Sequence, residues 1–184
     1  MNEEQPILVF DTNIFLTGID FNLIDAKIYT THNIIKEVTV KKYSEQNRNI
    51  IYRIQAAIYS KKLTIKTPLE EYVQEIEKKS KKTGEVKALS RADKELIALT
   101  LELIETTDKR VVIYTNDYSM ENLCLEMNIP FSSLIQEGIK SKIIWETYCD
   151  FCNEVFDAED LNRKCETCGT RLRRRPKKDS VVDK

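Results

Sequence analysis

Apolar residues follow two patterns along the chain. Short unbroken runs read as strands buried on both faces, with Ile7–Phe10 and Val111–Tyr114 the clearest. Lys27–Thr30 and Leu63–Ile65 are two more candidates, the latter ended by Pro68, and residues 129–131 allow a further short strand. Between these runs the period changes to that of a helix. Residues 14–24 suit a short helix or a loop. After Thr31 as a cap, Ile34, Ile35 and Val38 share one helix side with Glu37 beside them. A stretch opening at Ser44 places Ile50, Ile51, Ile54, Ala57 and Ile58 at helical spacing. Residues 69–82 form a heavily charged helix with Tyr72, Val73 and Ile76 inward and Gly84 near its C-cap. Ser90 as N-cap, with Asp93 three residues on, starts a helix whose Leu96, Ile97, Leu99, Thr100, Leu103 and Ile104 make it apolar over much of its surface, hence central. Residues 119–127 form another helix. Strands alternating with helices predict an α/β fold with a parallel sheet flanked by helices.

The pattern changes near Ser141. Residues 142–148 read as an extended lead-in, and the remainder of the chain is rich in Cys, Arg and acidic residues with no helical period. Residues 1–140 are therefore expected to form the α/β domain and 141–176 a small module with a basic end. The last residues, 177–184, are expected to be a disordered tail. At 184 residues there is room for this division, and no run approaches the roughly 18 apolar residues of a membrane span. The N-terminus shows no signal-peptide pattern, so a soluble, cytoplasmic protein is expected. The net charge is only −1 despite 32% charged residues, so whole-chain charge says nothing about partners.

Five cysteines in a reducing compartment suggest a metal site more than disulfides. Cys149-x-x-Cys152 and Cys165-x-x-Cys168 are separated by twelve residues. Each pair presents two thiolates from a tight turn, and two such turns close a tetrahedral Cys₄ site for one zinc ion. With all four positions filled by cysteine, that zinc is structural. Cys124 lies outside the pattern and reads as a small buried hydrophobe.

Four carboxylates sit where a parallel α/β fold can bring them together: Asp11, Glu37, Asp93 and Asp117. Asp11 and Asp117 come after the two clearest strands, where open α/β sheets bind ligands, and are expected to face each other across adjacent strands. Each also has an ordinary explanation, as a turn residue, a solvated helix residue, a helix-start carboxylate or an N-cap. Together, beside buried surface, they are costly without a cation, and hard oxygen ligands select Mg²⁺ or Mn²⁺. The single histidine, His32, reads as structural, so no Ser–His or Cys–His system is available. Four glycines form no phosphate-binding loop.

These residues resemble a known family. Val9-Phe10-Asp11-Thr12-Asn13, Glu37, Leu89-Ser90-Arg91-Ala92-Asp93 and Tyr114-Thr115-Asn116-Asp117 look like the motifs of PIN-domain nucleases, in order. A PIN domain followed by a four-cysteine zinc ribbon is similar to the Nin-one-binding family of ribosome-biogenesis endonucleases, and the compact chain resembles its archaeal members. The resemblance implies a single-strand endoribonuclease that matures the 3′ end of small-subunit (16S-type) precursor rRNA on a pre-ribosomal particle. It implies Mg²⁺ or Mn²⁺ held by Asp11, Glu37, Asp93 and Asp117, with Thr12, Asn13 and Asn116 in supporting positions. Two alternatives stand beside it: a non-catalytic rRNA-binding assembly factor, and a toxin-type PIN ribonuclease on other RNAs. The segment Arg171, Arg173, Arg174, Arg175, Lys177 and Lys178 puts six cations in eight residues and suits phosphate contacts, or is a solvated basic end. Phe156 is expected in the ribbon core. Phe151 is open between core and base stacking.

Overall fold

Strand β1 (Ile7–Phe10) is buried at all four positions and is paired on both edges, which places it at the centre of the sheet. The computed structural model describes residues 5–40, 48–84, 87–134, 141–177 and 182–183. Within them β2 (Lys27–Thr30), β3 (Leu63–Ile65), β4 (Val111–Tyr114) and β5 (Phe131–Ser132) complete a five-stranded sheet in the order β3-β2-β1-β4-β5. Every pairing in it is parallel. The expected α/β class with a parallel sheet flanked by helices is therefore what the chain adopts.

The helices are α1 (Thr12–Leu16), α2 (His32–Val38), α3 (Arg48–Tyr59), α4 (Glu70–Thr83), α5 (Arg91–Thr106) and α6 (Tyr118–Glu126). The helix expected over residues 50–58 is α3, and its expected start at Ser44 lies outside the described residues. Helix α5 is the hub, with nine buried residues from Ala92 to Leu103 and packing against α2, α4, α6 and β4. Its start is fixed by a reciprocal capping box: Ser90 Oγ accepts from the Asp93 N–H, and Asp93 Oδ2 accepts from the Ser90 N–H. Cys124 is fully buried in the main core, as a small hydrophobe would be. Among the described residues no helix is long and apolar enough to cross a membrane.

The C-terminal module is a three-stranded antiparallel sheet, with β7 (Trp145–Tyr148) between β8 (Val155–Phe156) and β9 (Arg173–Pro176). Arg173–Pro176 of the basic run is thus a strand, ordered by its pairing with β7. A two-residue strand, β6 (Ser141–Lys142), pairs antiparallel with β10 (Val182–Asp183). Residues 178–181 and 184 lie outside the described set.

The two modules are joined by specific contacts. The Asn122 carboxamide donates to the Ile143 carbonyl at 2.6 Å and accepts from the Ile143 N–H at 2.8 Å, as a paired strand would. Lys81 and Glu159 form an ion pair at 2.6 Å. Gly84, the left-handed C-cap of α4 at φ +77°, lies so close to Trp145 that a Cβ would fall on the Trp145 carbonyl. Gly18 has a similar φ of +79° but open space around it. Gly18→Ala is expected to cost about 1–2 kcal/mol, the backbone term alone, and Gly84→Ala clearly more. Urea unfolding monitored by the single tryptophan, Trp145, checks this. Equal losses at the two glycines would mean that the close approach to Trp145 does not constrain the docking.

Candidate active site and metal centre

At the end of β1 the chain turns at Asp11, which caps α1 and accepts the Thr12 N–H at 2.6 Å. The register Phe10↔Tyr114 sets the next residues side by side, so the neighbour of Asp11 on β4 is Thr115. The fully buried Thr115 hydroxyl donates to Asp11 Oδ2 at 2.9 Å and accepts the Asp117 N–H at 3.1 Å. The expectation of Asp11 facing Asp117 is corrected to that extent: the strands are adjacent, but Asp117 stands two residues beyond the direct partner. Sequence reasoning passed over Thr115. Aligning the ends of the two apolar runs, Val9-Phe10-Asp11 on Ile113-Tyr114-Thr115, is the signal that finds it.

Asp117 is the N-cap of α6, with Oδ1 accepting the Ser119 N–H at 2.7 Å. Asp93 is half-buried and oriented by the capping box of α5. Glu37, exposed near the end of α2, accepts from the Thr12 hydroxyl at 2.6 Å, which links it to the Asp11 turn. Asn13 is exposed on the first turn of α1. Asn116 uses its side-chain oxygen to hold the loop after β5, accepting from Ser133 Oγ and the Leu134 N–H.

Asp11 is 3% exposed, and burial pushes its carboxyl up to about 7. The Thr115 and Thr12 hydrogen bonds oppose this, while the negative charges of Asp93 and, more weakly, Asp117 add to it. Asp11 thus feels the charges of Asp93 and Asp117, and Thr12, which donates to Glu37, ties in the fourth carboxylate. They do not form a tight cage: among the described residues only the four cysteines bring three or more Cys, His, Asp or Glu ligand atoms within 4.8 Å of one another. An ion such as Mg²⁺, which keeps several waters and takes one or two carboxylates, fits such an open set. The raised Asp11 is the physical mark of that fit, because a bound cation removes the cost of its charge.

Beside Asp117 opens a cleft of about 870 Å³ between the modules. Asn13, Asp117 and Tyr118 line one side, Lys87 stands near, and Arg171 and Arg174 face them from the ribbon. A second groove of about 550 Å³ begins at Glu37 and carries Lys36 and Arg91. Two of the four acids thus each open on a groove that contains cations, Asp117 on the first and Glu37 on the second. Within the basic strand several charges are engaged inside the protein. Arg173 pairs with Asp150 at 3.3 Å, Arg174 lies over Trp145 and donates to Ser119, and Arg175 pairs with Glu146 at 2.7 Å over the Tyr148 ring. Arg171 and Lys177 are exposed, and Lys178 lies outside the described residues.

The cysteines form two similar turns. In the first, the Cys149 N–H donates to the Glu154 carbonyl and the Asn153 N–H to the Cys149 carbonyl. In the second, Cys165 pairs likewise with Thr170 and Gly169. The fifth residue of each turn is left-handed, Asn153 at φ +60° and Gly169 at φ +73°, which explains the glycine after the second pair. The Sγ separations of 3.3 Å (Cys149–Cys168) and 3.6 Å (Cys152–Cys165) approach the roughly 3.8 Å edge of a tetrahedron with Zn–S of about 2.3 Å. The four-cysteine set fits zinc. Phe156 packs on the cysteine cluster as expected of a core residue, whereas Phe151 is 77% exposed.

Comparison with known proteins gives this geometry a family. Residues 8–103 match the PIN domain of ribonuclease. Endoribonuclease Nob1 of Methanocaldococcus jannaschii is 28% identical over 98% of this chain and 83% of its own length. Endoribonuclease Nob1 of Pyrococcus abyssi is 28% identical over 93% of this chain and 94% of its own. Ribonuclease VapC1 of Thermoplasma acidophilum is 26% identical over 97% of this chain and 83% of its own. With more than half its length matched by the family profile, the chain belongs to the PIN-domain family of ribonucleases.

Proposed function

We propose that this endoribonuclease matures the 3′ end of small-subunit precursor rRNA, acting in the cytoplasm on the pre-ribosomal particle. Asp11, Glu37, Asp93 and Asp117 are the catalytic set that holds Mg²⁺ or Mn²⁺, and Cys149, Cys152, Cys165 and Cys168 hold one structural zinc. The observation that carries this reading is the buried Asp11 at the end of the central strand, under the negative charge of Asp93 and Asp117, with a cleft that contains cations opening beside Asp117. The Nob1 relatives, similar across both modules, support the choice of substrate.

When bound, the divalent ion supplies Lewis acidity that offsets the charge building on the phosphate during hydrolysis. The chain's own residues provide preorganisation. Thr115 and Thr12 hold Asp11 from two sides, Ser90 holds Asp93, and Ser119 holds Asp117, so these three acids are oriented before substrate arrives. The ribbon arginines draw the RNA backbone into the cleft without reading sequence.

Incubating the zinc-loaded protein with a precursor fragment spanning the 3′ end, with and without Mn²⁺, tests the proposal. Ion-dependent cutting at one position, leaving 5′-phosphate and 3′-hydroxyl ends, is expected. Equal cutting of transfer and messenger RNA would favour a general PIN ribonuclease. Firm RNA binding without any cutting would favour an assembly factor.

A further inference from the structure

We infer that Tyr118 is the stacking platform for an unpaired RNA base next to the scissile phosphate, with Lys87 and Arg171 contacting the phosphates around that base. This rests on the nuclease reading of the site and adds a residue that reads single-strandedness.

Four aromatic side chains among the described residues are more than half exposed: Tyr52, Tyr59, Tyr118 and Phe151. Of these, Tyr118 alone lines the cleft between the modules. It comes immediately after Asp117, so its ring stands one residue from the acidic rim. The backbone there is fixed. Asp117 caps the helix, and the next two residues, Ser119 and Met120, are buried, which leaves Tyr118 as the outward position of the first turn. The side chain, 54% exposed, makes no hydrogen bond and no ring contact among the described residues. Nothing among the described residues uses this ring, and the backbone that carries it is set by the Asp117 cap.

The surroundings suit a nucleic acid strand. Lys87 is held in the cleft wall by donating to the Leu161 carbonyl at 3.2 Å. Arg171 makes no ion pair among the described residues and lines the same cleft. An aromatic face flanked by cations is the arrangement that binds single strands: bases stack, phosphates neutralise the cations, and sequence matters little. A base inside a duplex already has neighbours on both faces and cannot stack on Tyr118. The platform therefore selects for unpaired RNA at the cut.

The test uses the full zinc-loaded chain without added divalent ion, so that binding is read without cleavage. The probe is a single-stranded RNA oligonucleotide carrying 2-aminopurine. Wild type is expected to bind and to quench the probe, Tyr118→Phe to behave like wild type, and Tyr118→Ala to bind roughly tenfold more weakly without quenching. Weakening by Tyr118→Phe equal to that by Tyr118→Ala would assign the contact to the hydroxyl and overturn stacking. Tyr118→Ala binding and quenching like wild type, while wild type still cuts RNA, would overturn this inference alone. A wild type that binds no single-stranded RNA would overturn the nuclease reading as well.

Discussion

Asp11→Asn is expected to lower cleavage by at least about a hundredfold and, at the same time, to make the ion-free protein more stable above pH 7. Both effects come from one carboxylate. In the unfolded chain Asp11 loses its proton near 3.8, whereas in the fold burial holds the proton to about 7. Between those values the fold keeps a proton that the unfolded chain has lost. The stability this contributes is therefore complete below about pH 4 and is lost as pH rises through 7. Above that, the ion-free fold carries a buried negative charge beside Asp93 and Asp117. Asparagine keeps the shape and an acceptor for the Thr12 N–H, and it never ionises. A divalent cation reverses the balance for wild type, because it binds the ionised form and displaces the proton. Melting curves at pH 6 and pH 8, with and without Mn²⁺, check this. Wild type should gain more from Mn²⁺ at pH 8 than at pH 6, and the variant should gain little at either. RNA binding should survive, since the cations lining the cleft are untouched. Undiminished cutting by Asp11→Asn, or a lower melting point than wild type in ion-free buffer at pH 8, would remove Asp11 from the centre of the site.

What the sequence revealed divides by distance along the chain. Features written within a few residues were legible. The apolar run into Asp11, the Ser90–Asp93 capping box, the Gly84 C-cap and the cysteine turns all appear where local chemistry puts them. Features that depend on register were not. Thr115 becomes the partner of Asp11 only because β1 and β4 align residue for residue over a gap of about a hundred positions. The basic run carries no strand alternation, because its order comes from its neighbours: Glu146 for Arg175, Trp145 for Arg174 and Asp150 for Arg173. The inter-module cleft was invisible for the same reason. It exists because Asn122, Gly84 and Lys81 fix the ribbon against α4 and α6, and none of the three is marked by local pattern as a docking residue.

Cys165→Ser is expected to unfold the ribbon while the parallel sheet and its helices persist, and to weaken RNA binding most at low salt. The buried core of the ribbon consists of Cys149, Cys165 and Leu172, with Cys152 and Phe156 packed on it. Three of those five residues are ligands of the proposed zinc. So small an apolar cluster cannot offset the entropy of ordering more than thirty residues, and the metal is expected to supply the difference, zinc binding contributing about 10–16 kcal/mol in zinc-finger peptides. Losing one thiolate leaves three facing each other without the charge that holds them together. Strand β9 then comes away from β7, and Arg174 comes off Trp145 and Ser119. Two optical signals report this. Trp145 emission shifts toward that of an exposed indole, and far-ultraviolet dichroism keeps its helical signal because every α-helix among the described residues lies before residue 127. For binding, the cleft loses the arginines of its ribbon wall, so the slope of affinity against salt should become shallower by about one for each phosphate that the ribbon no longer neutralises. Mn²⁺ is present throughout, so that only the ribbon differs between variant and wild type. A Cys165→Ser protein that keeps both the wild-type Trp145 emission and the wild-type salt slope would mean that the ribbon folds without its metal and that the RNA is held elsewhere.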